Sequence, residues 1–161
     1  MTLPRWAFSV RQPWAWAIIH AAPIKDIENR DWRRPNPGLD FRGEFALHAS
    51  AAMSRGEYEQ AVAFMAKIGV VCPPAIDLQR GGLIGTARVT DIVRRHDSPW
   101  FMGPLGLVLD RPAPCEFVPV KGQLGFFSWR QCEPGEAAAP ARWMLPKPDP
   151  VLESKPQGTL L

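Results

Sequence analysis

The segment Ser54-Arg55-Gly56-Glu57 limits the folds open to this chain more than any other, because it marks where a helix must begin. A serine with a glutamate three residues later lets each side chain accept from the other's backbone N–H, satisfying two donors near the helix start. Behind it Tyr58, Ala61, Val62, Met65 and Ile68 recur at helical spacing. That predicts an amphipathic helix over about Arg55–Lys67 with this stripe in the core. Cys72-Pro73-Pro74 ends the unit. After Gly81 the pattern changes: Gly82–Val93 is rich in β-formers and reads as a long strand with a bulge at Gly85. Leu105–Leu109 and Cys115–Val118 read as two further strands separated by Asp110-Arg111-Pro112. Gly82 and Gly85 do not make a phosphate loop, since the third glycine and the lysine-serine pair are missing.

The front of the chain concentrates the reactive side chains. Trp6–Val10 reads as a short strand, and Pro13 suits a first helical position, where its missing N–H costs nothing, so a helix is expected from about Trp14 to His20. Trp14 and Trp16 lie two residues apart and face different directions, one toward a core and one toward a cleft. If Lys25–Arg30 is extended, Lys25 and Ile27 share one side while Asp26, Glu28 and Arg30 share the other, which sets a carboxylate beside a guanidinium. Asp31–Gly38 is turn chemistry, so Arg33 and Arg34 face solvent or a ligand. Gly43–Ser50 alternates as a strand, with Phe45 and Leu47 on one side and Glu44, Ala46 and His48 on the other. His96–Pro104, carrying Trp100, is a second aromatic loop, and Lys121–Trp129 mixes a lysine, two glycines and rings. Residues 1–132 thus form one domain. From 133 to 161 the Pro-, Gly-, Ala- and Lys-rich composition describes an extended tail, with Trp143, Met144 and Leu145 apolar enough to dock on the domain or on a partner.

Composition narrows the function classes. A chain of 161 residues is long enough for one core without staples. No apolar run approaches the roughly 18 residues of a membrane span. Arg5 and Trp6 interrupt any signal-peptide core, so a cytoplasmic protein with no membrane partner is expected. Three scattered cysteines suggest neither a disulfide framework nor a metal site, and no cofactor is expected. The net charge of +3 permits a nucleic-acid or nucleotide partner without demanding one. Seven tryptophans against one tyrosine supply rings that, flanked by Arg and Lys, can stack on bases.

Short strands with two helices near the front point to an α+β fold, a partly closed mixed β-barrel with helices flanking one side. Gln12-Pro13-Trp14, Lys25-x-x-Glu28-x-Arg30, Gly43 leading to His48-Ala49-Ser50, Ser98-Pro99-Trp100 and Lys121-Gly122-Gln123-Leu124-Gly125 occur in that order. Together they resemble the ASCH (activating signal cointegrator homology) domain of the PUA-like superfamily, over about Leu3–Trp129. The resemblance implies an RNA-binding barrel with a cleft beside its first helix. The family pattern G-x-K-x-x-E-x-R falls on Pro23, in place of the glycine, then Lys25, Glu28 and Arg30.

Some small bacterial members are amidohydrolases on N4-acetylcytidine that use a lysine, a threonine and a glutamate; the threonine's position is Glu28 here. Others resemble ribonucleases on single-stranded RNA. The implied site for RNA or a nucleoside or nucleotide comprises Gln12, Trp14, Lys25, Glu28, Arg30, Trp32, Arg33, His48, Ser50, Trp100 and Lys121. Lys25 and Glu28 would be the catalytic pair if the protein is a metal-free hydrolase. Rings would hold a base by its face, at about 1–3 kcal/mol per contact, while Arg and Lys meet phosphates. Glu28 would accept from a base amino group or act as a general base, and a desolvated Lys25 would neutralise a phosphate or an oxyanion.

Each residue also has a plainer reading. Lys25, Glu28 and Arg30 form a surface ion-pair cluster, His48 is a satisfied core histidine, Trp100 is packing, Lys121 is a turn lysine, and Arg33 is solvated. A third class of function is an interaction module recruiting a partner through the tail around Trp143. Oligomeric state is not legible in the sequence.

Overall fold

In a computed structural model that describes residues 2–133 and 138–146, the box at Ser54 closes. Glu57 N donates to Ser54 Oγ at 3.1 Å, and Ser54 N donates to Glu57 Oε2 at 3.0 Å. The elements along the chain are β1 (Trp6–Val10), α1 (Trp14–His20), β2 (Ile27–Arg30), β3 (Gly43–Ala49), α2 (Arg55–Lys67), β4 (Gly82–Val93), β5 (Leu105–Pro119) and β6 (Phe126–Ser128). Short 3-10 turns lie at Pro37–Asp40, Ala75–Asp77 and Arg142–Met144. Pro13 occupies the cap of α1, one position before its expected place. Among the described residues no helix is long and apolar enough to cross a membrane.

The strands make one mixed sheet, curled into a half-barrel, in the order β2, β5, β4, β3, β1, β6. β1 runs parallel to β3 and every other pairing is antiparallel. The α+β class is therefore the observed one. One expectation needs correcting: the segments at Leu105–Leu109 and Cys115–Val118 are not two strands but the ends of β5. β2 covers β5 only along Leu105–Val108, so the stretch holding Pro112 and Pro114 has one open edge, where a residue without an N–H breaks no ladder. Register shifts against β4 absorb the irregularity, one of them between Leu83 and Gly85. A Cβ on Gly85 would stand 2.4 Å from the Ala113 carbonyl and 2.7 Å from Ile19 Cδ1, so the sheet and α1 can meet here only across a glycine.

α1 is buried on two faces. Ala15, Ile18 and Ile19 pack on Phe8, Val10, Phe45 and Leu47 of the sheet, while Ala17 and Ala21 share a second cluster with Met65 of α2, Val70 and Trp100. Small alanines let the helix approach both layers closely. Met144 is buried with Met53, Ala75 and Leu78, bringing residues 138–146 back onto the domain. The rest of the expected tail, 134–137 and 147–161, lies outside the described residues.

The barrel stays open along one seam. β6 pairs with β1 only at Trp6, Ala7 and Phe8, leaving Ser9 and Val10 with a free edge, and β2 is the outermost strand at the other end of the sheet. Across this gap Arg30 Nη2 donates to the Ser9 carbonyl at 2.8 Å.

Candidate functional site

The seam holds the densest group of candidate residues. After α1 the chain turns back, and the Lys25 backbone N–H donates to the Ala17 carbonyl at 3.1 Å. Lys25 lies before β2, so strand alternation does not govern it. Its side chain is not turned away from Glu28, as the extended reading expected. Nζ donates to the Ile27 carbonyl and to Glu28 Oε1, the latter at 3.3 Å. The lysine is only 2% exposed. Burial pushes its pKa down from the ordinary value, opposed by the Glu28 charge.

Glu28 Oε2 is buried without a hydrogen-bond partner, with Arg30 Nη2 at 3.8 Å. The Arg30 guanidinium lies over the Phe8 ring at 4.4 Å and reaches Trp32 at 5.8 Å, so it is held on two rings as well as on Ser9. This set is a largely buried charge triad rather than the solvated surface cluster of the plainer reading.

Trp14, Lys25, Glu28, Asn29, Arg30 and Met102 line a cleft of about 340 Å³ over the seam, with Arg11 at its rim. Arg11 is itself anchored to Glu57 at 2.7 Å. Asn29, unremarked in the sequence, holds the aromatic loop onto β2. Its Nδ2 donates to the Trp100 carbonyl at 2.9 Å, and its Oδ1 accepts from Met102 N at 2.8 Å and Gly103 N at 3.2 Å. Ser98 Oγ adds a bond to Asp26 Oδ1 at 2.5 Å. An amide inside a charged strand segment was the one available signal, since an asparagine there needs a partner for each polar atom.

The other candidates are placed elsewhere. Trp100 is 1% exposed and stands edge-on behind Trp14, so it offers no free face to a base, correcting its place in the expected site. Gln12 is a buried brace: Nε2 donates to the Gln79 carbonyl at 2.7 Å and Oε1 accepts from Trp16 N at 2.8 Å. His48 is buried between the sheet and the β5–β6 connection. Its Nε2 donates to the Val120 carbonyl at 2.7 Å, which leaves Nδ1 to accept from Ser9 Oγ at 3.0 Å. Burial lowers its pKa.

His48 and Ser50 line a neighbouring hollow of about 420 Å³ that touches the cleft at Arg11 and Arg30. Trp32 and Arg33 lie beyond Arg30, away from Lys25, and Lys121 is exposed on the β5–β6 connection outside the cleft lining. Among the described residues no three His, Cys, Asp or Glu side chains gather as a metal site. No protein-family model matches the chain, and no curated protein matches it.

Proposed function

We propose that this chain is an ASCH domain of the PUA-like superfamily that binds RNA or a modified nucleoside in the cleft beside α1. The observation that carries the reading is the convergence of Trp14, Lys25, Glu28 and Arg30 on one open hollow. Its size lies at the lower end of the roughly 300–1,000 Å³ of small-ligand pockets. A base would lie against Trp14, with the Glu28 carboxylate as acceptor for an exocyclic amino group. The phosphate would meet Arg30 and Arg11, whose guanidinium groups are already held by Ser9 and Glu57.

A second reading, hydrolysis of single-stranded RNA or of N4-acetylcytidine, is favoured by one contact. A lysine amine held toward its neutral form beside a carboxylate can take a proton from an attacking water or hydroxyl and pass it to the leaving group.

Fluorescence anisotropy with labelled single-stranded RNA at several salt concentrations tests the binding reading. Affinity should fall as salt rises and be lost in the Lys25→Ala, Arg30→Ala double variant. Salt-independent binding, or binding that survives both changes, refutes it. Chromatography of RNA and of N4-acetylcytidine after incubation, against a Glu28→Gln control, decides on turnover.

A further inference from the structure

On the side of Arg30 away from Lys25 lies a second and larger hollow, about 880 Å³, walled by Trp6, Trp32, Phe41 and Phe126 with Arg33 at its rim. Three of its four rings, those of Trp32, Phe41 and Phe126, pack on one another. Phe126 stacks on Phe41 at 3.8 Å between centroids and on Phe8 at 4.5 Å, and Trp32 meets Phe126 edge-on at 6.2 Å. Trp32 sits so close over Gly38 that a Cβ there would be 2.6 Å from the ring. Above this floor Trp6 is 43% exposed and Leu124 is 99% exposed. Concave aromatic surface left in water marks a binding site.

Two arginines decide which ligand class fits. Arg30 borders both this hollow and the Lys25 cleft, and Arg33 stands at the far rim with its nearest carboxylate, Asp31, only at the 4.0 Å limit of an ion pair. An apolar peptide would use the rings and leave the cations idle. A nucleotide chain uses both, base on ring and phosphate on guanidinium.

We propose that the ringed hollow is a second base-stacking subsite, and that the ligand is a single-stranded oligonucleotide with one base in the Lys25 cleft and a neighbouring base among Trp6, Trp32 and Phe41. Arg30, which borders both hollows, then meets the phosphate that joins the two nucleotides, and Arg33 meets the next phosphate along the strand. This rests on the nucleotide reading of the cleft and adds to it the place of a second base.

Anisotropy with a labelled mononucleotide and a labelled single-stranded tetranucleotide, on the full chain, separates the two ideas. The tetranucleotide should bind about tenfold tighter or better, and Trp6→Ala should narrow that gap about fivefold or more. Leu124→Glu, a change at a fully solvated position, should narrow it by like-charge repulsion, and circular dichroism should show both variants folded. A tetranucleotide that binds no tighter than the mononucleotide, or a gap that survives both variants, overturns the second subsite and leaves the cleft reading standing. Failure of both ligands to bind overturns the two together. An apolar dye that lodges in the hollow and is not displaced by the tetranucleotide would assign the rings to a different partner and also overturn the proposal.

Discussion

Exchanging Glu28 for glutamine removes one charge and almost no volume from beside Lys25 Nζ. The oxygen at 3.3 Å remains as an acceptor, so the change isolates the electrostatic contribution. At an effective dielectric constant of about 20, attraction over that distance is about 5 kcal/mol. The lysine can limit its loss by releasing its proton. Keeping a group of ordinary pKa 10.5 neutral at pH 7 costs about 1.4 kcal/mol per unit, or about 5 kcal/mol in all.

Proton release caps the loss at about that figure, and removing one partner's charge from a buried pair costs about 3–5 kcal/mol, so the expected loss for Glu28→Gln is about 3 kcal/mol. The sign follows from linkage. With the folded pKa below the unfolded one, the unfolded chain binds the extra proton between the two values, and stability returns as pH rises toward 10.5. The variant's deficit should therefore shrink to about 1 kcal/mol at pH 9.5. Urea unfolding followed by tryptophan fluorescence at both pH values measures this. A deficit below about 1 kcal/mol at pH 7, or one that is equal at pH 7 and 9.5, would refute a buried, charge-compensated lysine.

Two further outcomes are expected. Because burial holds the His48 pKa below its ordinary 6.5, the unfolded chain takes up the proton first and stability present above that value is lost on acidification. Thermal melts from pH 7.5 to 5 should show a shallower acid loss in His48→Gln than in the native chain, and parallel profiles would count against it. Met144→Ala should cost about 2 kcal/mol, from lost contact with Met53, Ala75 and Leu78, read as a lower urea midpoint; an unchanged midpoint would mean that the 138–146 segment adds nothing to the domain.

Local signals in the sequence carried the elements they could encode. The Ser54 box lies within one helical turn and forms, and Gly43–Ala49 forms the expected strand, whereas of the stripe from Tyr58 to Ile68 only Ala61 and Met65 are buried and the other three are half-buried. What escaped depends on partners far along the chain. Pro112 and Pro114 suggest a break until β2 proves too short to cover them. Gln12 resembles a ligand group until its amide meets Gln79, 67 residues away. Trp100 sits in an exposed-looking loop whose burial is set by Asn29 and by Phe64 of α2. The cleft was half legible: Lys25, Glu28 and Arg30 lie close together in sequence, but Met102 joins them only because of the Asn29 bonds. The ringed hollow was legible only along Arg30, Trp32 and Arg33, since Trp6, Phe41 and Phe126 come from separate segments.

Arg30 bridges two strand edges that exchange no amide bonds among the described residues, and one guanidinium spans the gap between them. An anionic guest would meet the N–H groups that Ser9 leaves over on that guanidinium, so binding would keep the margins of the half-barrel tied. Occupancy would then be sensed by Phe8 and Trp32, the two rings against which the same side chain lies.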